Sequence, residues 1–194
     1  MARINVHTAA TEQPVSLTTA AEHLRVVDPA DHGLIQRLVR SATERLQRRH
    51  WTQFCAATLD EWFDGWGADG FALRINPVAS VESIVYLDAG GAEQAVEAGV
   101  WELGRKDGRA VVRTAYGQSW PSGCRGGVDS VRVRYVAGYG AQAAVPAPVV
   151  DALLVEVGDL YLLRDSVVPA GMRRVERMTD HLMAGYSYRT TGRP

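Results

Sequence analysis

The sequence predicts an α+β fold: a helical bundle from N- and C-terminal helices with an inserted antiparallel β unit. Three observations predict it. Apolar residues recur at helical spacing near both ends, at Leu34, Ile35, Leu38, Val39, Ala42 and Leu46, and again at Val149, Val150, Leu153, Leu154, Val157, Leu160 and Tyr161. Between these stretches the pattern shifts to short alternating runs broken by Gly, Asp and Pro. All five tryptophans (Trp51, Trp62, Trp66, Trp101 and Trp120) fall in that middle block.

Residues 1–13 are polar and without periodicity, and are expected to form an extended N-terminal arm. Pro14 opens the N-terminal bundle segment, residues 14–50. Thr19 and Glu22 have the spacing of a capping box, with Ser16 as the alternative cap, and the short helix should end near Val26. Asp28-Pro29-Ala30-Asp31 is a turn and a fresh helix start, with acids placed at the positive end of the dipole. The second helix runs to about His50, and its polar face carries Arg37, Arg40, Glu44, Arg45 and Arg48.

The β unit is expected over residues 51–145. Strands are predicted at Thr52–Asp60, Phe71–Asn76, Ser80–Leu87, Arg109–Tyr116 and Ser130–Val136, with a hairpin turn at Asp88-Ala89-Gly90-Gly91. The chain leaves this unit through Gly138 and Gly140, and Pro146 and Pro148 follow. Because proline disfavours helical backbone in the residue before it, Val145 and Ala147 should be extended, with the next helix starting near Pro148. Residues 146–184 make the C-terminal bundle helices, the last with Met172, Val175, Met178, Leu182 and Met183 on one face. Residues 185–194 form a tail.

Composition narrows the function. A chain of 194 residues with 46% hydrophobic content can bury a proper core. A net charge of −1 argues against a dedicated nucleic-acid binder. Of 21 basic residues only Lys106 is lysine, either a compositional bias or a preference for planar, bidentate contacts. Cys55 and Cys124 are isolated and suggest a reducing compartment. No run approaches the length of a membrane helix, so no membrane partner is expected.

Candidate chemistry is sparse. Gly138-x-Gly140-x-x-Ala143 has the look of a phosphate-binding turn, but the prolines push the helix start away from the glycines. A small cytoplasmic nucleotide-binding enzyme therefore stays as the lesser alternative. His7, His23, His32, His50 and His181 are scattered without metal-ligand spacing. There is no GxSxG elbow. Asp60, Glu61 and Asp64 lie next to Gly65 and Gly67 and read as a solvated turn. Trp62, Phe63 and Trp66 form an aromatic run in acidic surroundings, which favours packing over base stacking. No catalytic, metal or cofactor site is expected. The four residues Gly138, Gly140, Pro146 and Pro148 read instead as a hinge.

Several motifs occur together in order. They are P-V-S-L-T-T-A-A-E-H-L-R-V at Pro14–Val26, D-H-G-L-I-Q-R-L-V-R-S-A-T at Asp31–Thr43, P-V-A-S-V-E-S-I-V-Y-L-D-A-G-G at Pro77–Gly91, Trp120-Pro121, and V-R-Y-V-A-G-Y-G…V-P-A-P-V-V-D-A-L-L at Val133–Leu154. This set resembles the head–tail connector (adaptor) proteins of tailed phages and gene-transfer agents over about residues 14–170. The resemblance implies a non-enzymatic virion protein at the head–tail interface, present in the host cytoplasm before assembly. It implies a ring, expected to be a dodecamer, beneath the portal protein. Such a ring extends the DNA channel, touches passing DNA without sequence-specific contact, and offers a surface to a stopper or tail-completion protein. Another connector component, such as a stopper or tail-completion protein, is the nearest alternative. On this reading Arg37, Arg40, Glu44, Arg45 and Arg48 belong to inter-subunit helix faces. Tyr186, Tyr188, Arg189 and Arg193 are the expected portal-binding residues of the tail, and Glu93, Glu97 and Glu102 the acids expected to face DNA.

Overall fold

The computed structural model describes residues 3–68, 70–162 and 176–188. The chain divides into two compact units. One comprises Met1–Thr11 and Ala56–Gly138, the other Glu12–Cys55 and Tyr139–Pro194. The first is all β and the second mainly helical, so the α+β class with an inserted antiparallel sheet holds.

The β unit contains strands β1 (Ile4–Thr8), β2 (Ala57–Phe63), β3 (Phe71–Ala72), β4 (Val78–Leu87), β5 (Glu93–Ala95), β6 (Trp101–Lys106), β7 (Arg109–Thr114) and β8 (Val131–Ala137). They form a five-stranded sheet ordered β1-β2-β8-β4-β5 and a three-stranded sheet ordered β3-β7-β6. Neighbouring strands are antiparallel throughout. β8 shows why this sequence makes a sheet. Val131, Val133, Tyr135 and Ala137 alternate with Arg132, Arg134 and Val136, and the first set is fully buried. Those four side chains share a core with Leu59 and Ile84 of the same sheet, and with Phe71, Ala110 and Val112 of the other.

Several elements differ from the sequence reading. Part of the expected arm is β1, an edge strand that pairs Ile4–Val6 with Leu59–Glu61. The strand expected from Thr52 begins only at Ala57, because residues 52–54 finish the preceding helix. Trp51 turns left-handed, the Thr52 N–H donates to Gln47 O, and the Phe54 N–H donates to the Gln47 side chain at 2.8 Å. β3 stops at Ala72 because the Asn76 side chain replaces the ladder. It donates to Leu73 O at 2.9 Å and accepts from Ala110 N–H at 2.9 Å. β5 and β6 were not expected. β6 joins β7 through Asp107-Gly108, both with positive φ (51° and 78°), the geometry of a two-residue hairpin.

The helical unit contains α1 (Leu17–Leu24), α2 (His32–His50), α3 (Ala147–Leu162) and α4 (Glu176–Leu182). Ser16, the alternative cap, is the one used: its Oγ accepts from Thr19 N–H at 3.0 Å. A short 3-10 turn at Pro29–Asp31, capped by Asp28, leads into α2. Ile35, Val39, Ala42 and Leu46 of α2 are buried, as are Val149, Ala152, Leu153 and Val157 of α3. α1, α2 and α3 pack on one another, and α4 packs on α3. Val145 is extended as expected, but α3 starts at Ala147 rather than Pro148, with Pro146 O accepting from Val150 N–H. Of the methionines expected on the last helix, Met183 lies just past α4 and is fully buried, while Met178 is exposed. Met172 and Val175 lie outside the described residues.

Candidate functional site

The features that bear on function are surfaces, so each is built from the element that carries it. On α2 the buried stripe leaves Arg37, Arg40, Glu44 and Arg48 exposed along the opposite face. Arg37, Arg40 and Arg48 have no ion-pair partner among the described residues. Arg45 is different. It points sideways, and its guanidinium lies 3.2 Å from Glu156 of α3, a carboxylate that is almost wholly buried. Arg49, not singled out by the sequence, makes a similar bond to Asp180 of α4 at 3.0 Å. Of the five polar-face residues, four face outward and Arg45 holds the bundle together.

Of the tail residues, the two tyrosines are tied to the helical unit. The Tyr188 N–H donates to His50 O at 2.9 Å, and the Thr52 hydroxyl donates to Tyr186 O at 2.7 Å. The Tyr186 ring meets Tyr139 edge-on, with centroids 6.3 Å apart. Both tail tyrosines are thus half-buried on their own helical unit. Arg189 and Arg193 lie outside the described residues.

Gly138 and Gly140, expected to form a hinge, sit where the chain passes from one unit to the other, between Gly138 and Tyr139. Gly138 and Gly140 have φ of +119° and +117°, backbone that a side chain would strain. The Gly138 N–H donates to Pro77 O in the β unit, while the Tyr139 N–H donates to Phe54 O in the helical unit. Adjacent residues are therefore anchored in different units. Pro146 and Pro148 flank the α3 start. The helix does not begin on the glycines, so no helix N-terminus is presented there for a phosphate.

The acids expected in a solvated turn are instead neighbours on β2, and both are buried. Strand alternation sends them to opposite faces. Asp60 meets Arg134 in a two-point ion pair at 2.7 and 2.9 Å, and this bond, ahead of the cost of burial, lowers its carboxyl pKa. Glu61 points into the core, where burial raises its pKa. Its Oε2 accepts from Tyr135 Oη–H at 3.0 Å and from Arg74 N–H at 3.1 Å. Burial likewise raises the Tyr135 hydroxyl. The sequence misled here because one carboxylate takes a core position of an otherwise apolar face: Ala57, Leu59, Glu61, Phe63. Asp64 stays exposed and accepts from Asp129 N–H.

Other expected surface charges are spent within the chain. Glu93 pairs with Arg132 at 3.2 Å and Glu102 with Arg113 at 2.7 Å, leaving Glu97 as the unpaired member of that acidic trio among the described residues. The aromatics pack. Trp66 stacks on Trp120 at 4.9 Å with rings parallel to 1°, and both border the core beside Phe71. Trp62 lies under the Arg3 guanidinium at 4.3 Å. Among the described residues no three His, Cys, Asp or Glu side chains converge as metal ligands, and no helix is long and apolar enough to cross a membrane.

No family model matches the chain, and no curated protein sequence matches it. Solved structures do. A chain from the virion of a native gene transfer agent (GTA) particle superposes with a TM-score of 0.77 at 25% identity, covering 98% of this chain and 99% of that one. A chain from the neck of a native GTA particle computed with C12 symmetry gives 0.71 at 26% identity, over 99% and 100%. The fold is that of a GTA neck protein. A chain from the neck of an empty GTA particle computed with C6 symmetry, 24% identical, shows the same fold with a TM-score of 0.79 over 99% and 100% of the two chains. The neck fold spans both units, so the resemblance drawn from the ordered motifs extends to nearly the whole chain.

Proposed function

We infer that the chain is a virion head–tail connector, a structural component of the neck and not an enzyme. The observation that carries this is the end-to-end match, in both directions, to chains of GTA particles at 25% and 26% identity. The connector is an oligomer placed near the portal and the DNA channel. The finer reading is a ring of twelve beneath the portal. The C12 symmetry used for the neck of the native particle supports that number. The exposed arginine face of α2 supports ring formation, since rings close by joining two different faces of one subunit.

On this reading the ring extends the DNA channel and offers a platform to a stopper or tail-completion protein. DNA passes without sequence-specific contact. The hinge at Gly138–Gly140 and Pro146–Pro148 lets two separately folded units serve two tasks, ring formation and contact along the channel. Free Cys55 and Cys124 fit a reducing cytoplasm before assembly. The tail docks to the portal through Arg189 and Arg193, with Tyr186 and Tyr188 fixing its base.

The test is to mix the purified chain with particles that carry a portal but no neck, and to image them by electron microscopy. A ring should appear on the portal. Portals left bare would overturn the reading. Binding only after another neck protein has bound would reassign the chain to the stopper or tail-completion step. Deleting residues 189–194, which spares the tyrosines, should abolish portal binding, and undiminished binding would remove the tail from the interface.

A further inference from the structure

The helical unit carries a second surface that the connector reading does not use. A groove of about 690 Å³ runs between the lead-in to α1 and the start of α3. Pro14, Val15, Val145 and Val150 give it an apolar lining, and the exposed carboxylates of Glu12 and Asp151 stand at its rim. Glu12 is held in place, because its Oε2 accepts from Gln142 N–H at 2.6 Å. No residue of α2 lines the groove.

Elsewhere on the same unit lies its chemical complement. α2 buries Ile35, Val39, Ala42 and Leu46 and turns Arg37, Arg40 and Arg48 outward, without ion-pair partners among the described residues. Arginine suits an apolar groove with an acidic rim. Its three-carbon stem covers apolar surface while the guanidinium reaches a carboxylate in a planar, two-point bond. Within a single copy no α2 residue lines the groove, and among the described residues no ion pair joins Glu12 or Asp151 to these arginines.

We propose that the groove rimmed by Glu12 and Asp151 receives the Arg37–Arg40–Arg48 face of α2 from a second copy of this chain. This is a head-to-tail contact, the kind that propagates around a ring. It rests on the connector reading and adds to it the identity of the two mating faces.

Charge reversal tests it. Asp151→Arg sets arginine against arginine at every contact, and Arg40→Asp sets acid against acid. Each variant alone should form rings on portal-bearing particles about tenfold less often than the wild type, or worse, while keeping its circular dichroism spectrum. An equal mixture of the two should recover rings. In an alternating arrangement each reversed groove meets a reversed α2 face, and each native groove meets a native one. The double variant Asp151→Arg/Arg40→Asp should also recover them. Folded single variants that assemble as well as the wild type would overturn the proposal, as would a mixture that stays as poor as its parts. Failure of the wild type itself to form rings would instead count against the connector reading.

Discussion

The two units differ in how much of their charge they pair. In the β unit, Asp60 is bound by Arg134, Glu93 by Arg132, Glu102 by Arg113 and Asp129 by Arg3, and even buried Glu61 has two hydrogen-bond donors. In the helical unit, Arg45 and Arg49 are spent on Glu156 and Asp180, yet Arg37, Arg40 and Arg48 project outward unpaired among the described residues. One unit largely settles its electrostatics internally. The other leaves three guanidinium groups along one helix open to solvent. On the proposed reading, the specific protein–protein contacts lie on the helices and the sheet serves as a stable spacer.

That contrast can be broken at several points. The largest effect should come from the β core. Tyr135→Ala removes a fully buried ring and one of the donors to Glu61, and should lower the unfolding free energy by about 3–5 kcal/mol. A loss below about 1 kcal/mol in denaturant titration would mean the core does not depend on this knot. Next is the Arg45–Glu156 ion pair of the helical unit, whose carboxylate is buried. Arg45→Ala removes a charge partner of the buried Glu156 carboxylate and should cost about 1–3 kcal/mol, reduced from the fully buried case because Arg45 is partly solvated. An unchanged melting temperature would contradict that role.

The neighbouring acids of β2 sharpen the contrast through pH. Burial raises the Glu61 pKa above its ordinary 4.5, so the folded state holds an extra proton and stability declines as pH rises from about that value. Asp60 is shifted downward, so its contribution is present above its ordinary 3.8 and is lost only on acidification through its lower folded value. Glu61→Gln keeps an oxygen for both donors and cannot titrate. Its stability should lose the decline above pH 4.5 and keep the acid limb, and a variant that declines just as the wild type does would place the titration elsewhere. The smallest effect belongs to the outward arginines. Arg37→Ala and Arg48→Ala should shift stability by no more than about 0.5 kcal/mol, and a larger loss in thermal melts would show that these residues are structural after all.

Much of the fold is legible in the sequence because its strongest signals are periodic. The α2 and α3 stripes and the alternation of β8 each name their own buried face. What escaped had a local physical cause. β1 is a short, mostly exposed edge strand, so it carries no alternating pattern. β6 is interrupted by Gly104, though the Asp107-Gly108 turn was a usable signal. Glu61 hid because charge at a core position looks like surface until its two donors are seen. Among the candidate residues, sequence spacing placed Arg45 with the outward arginines, and only the position of Glu156 on another helix separates it from them. The tail tyrosines are a similar case, since their ties to His50 and Thr52 join residues far apart in the chain.

On the proposed reading this chain is the neck component that joins head to tail. Electron cryo-microscopy of particles produced with and without it tests that most directly. Particles lacking the chain should show filled or emptied heads with portals but no attached tails, and supplying the chain should restore a neck ring beneath the portal. Tailed, complete particles in its absence would contradict that role.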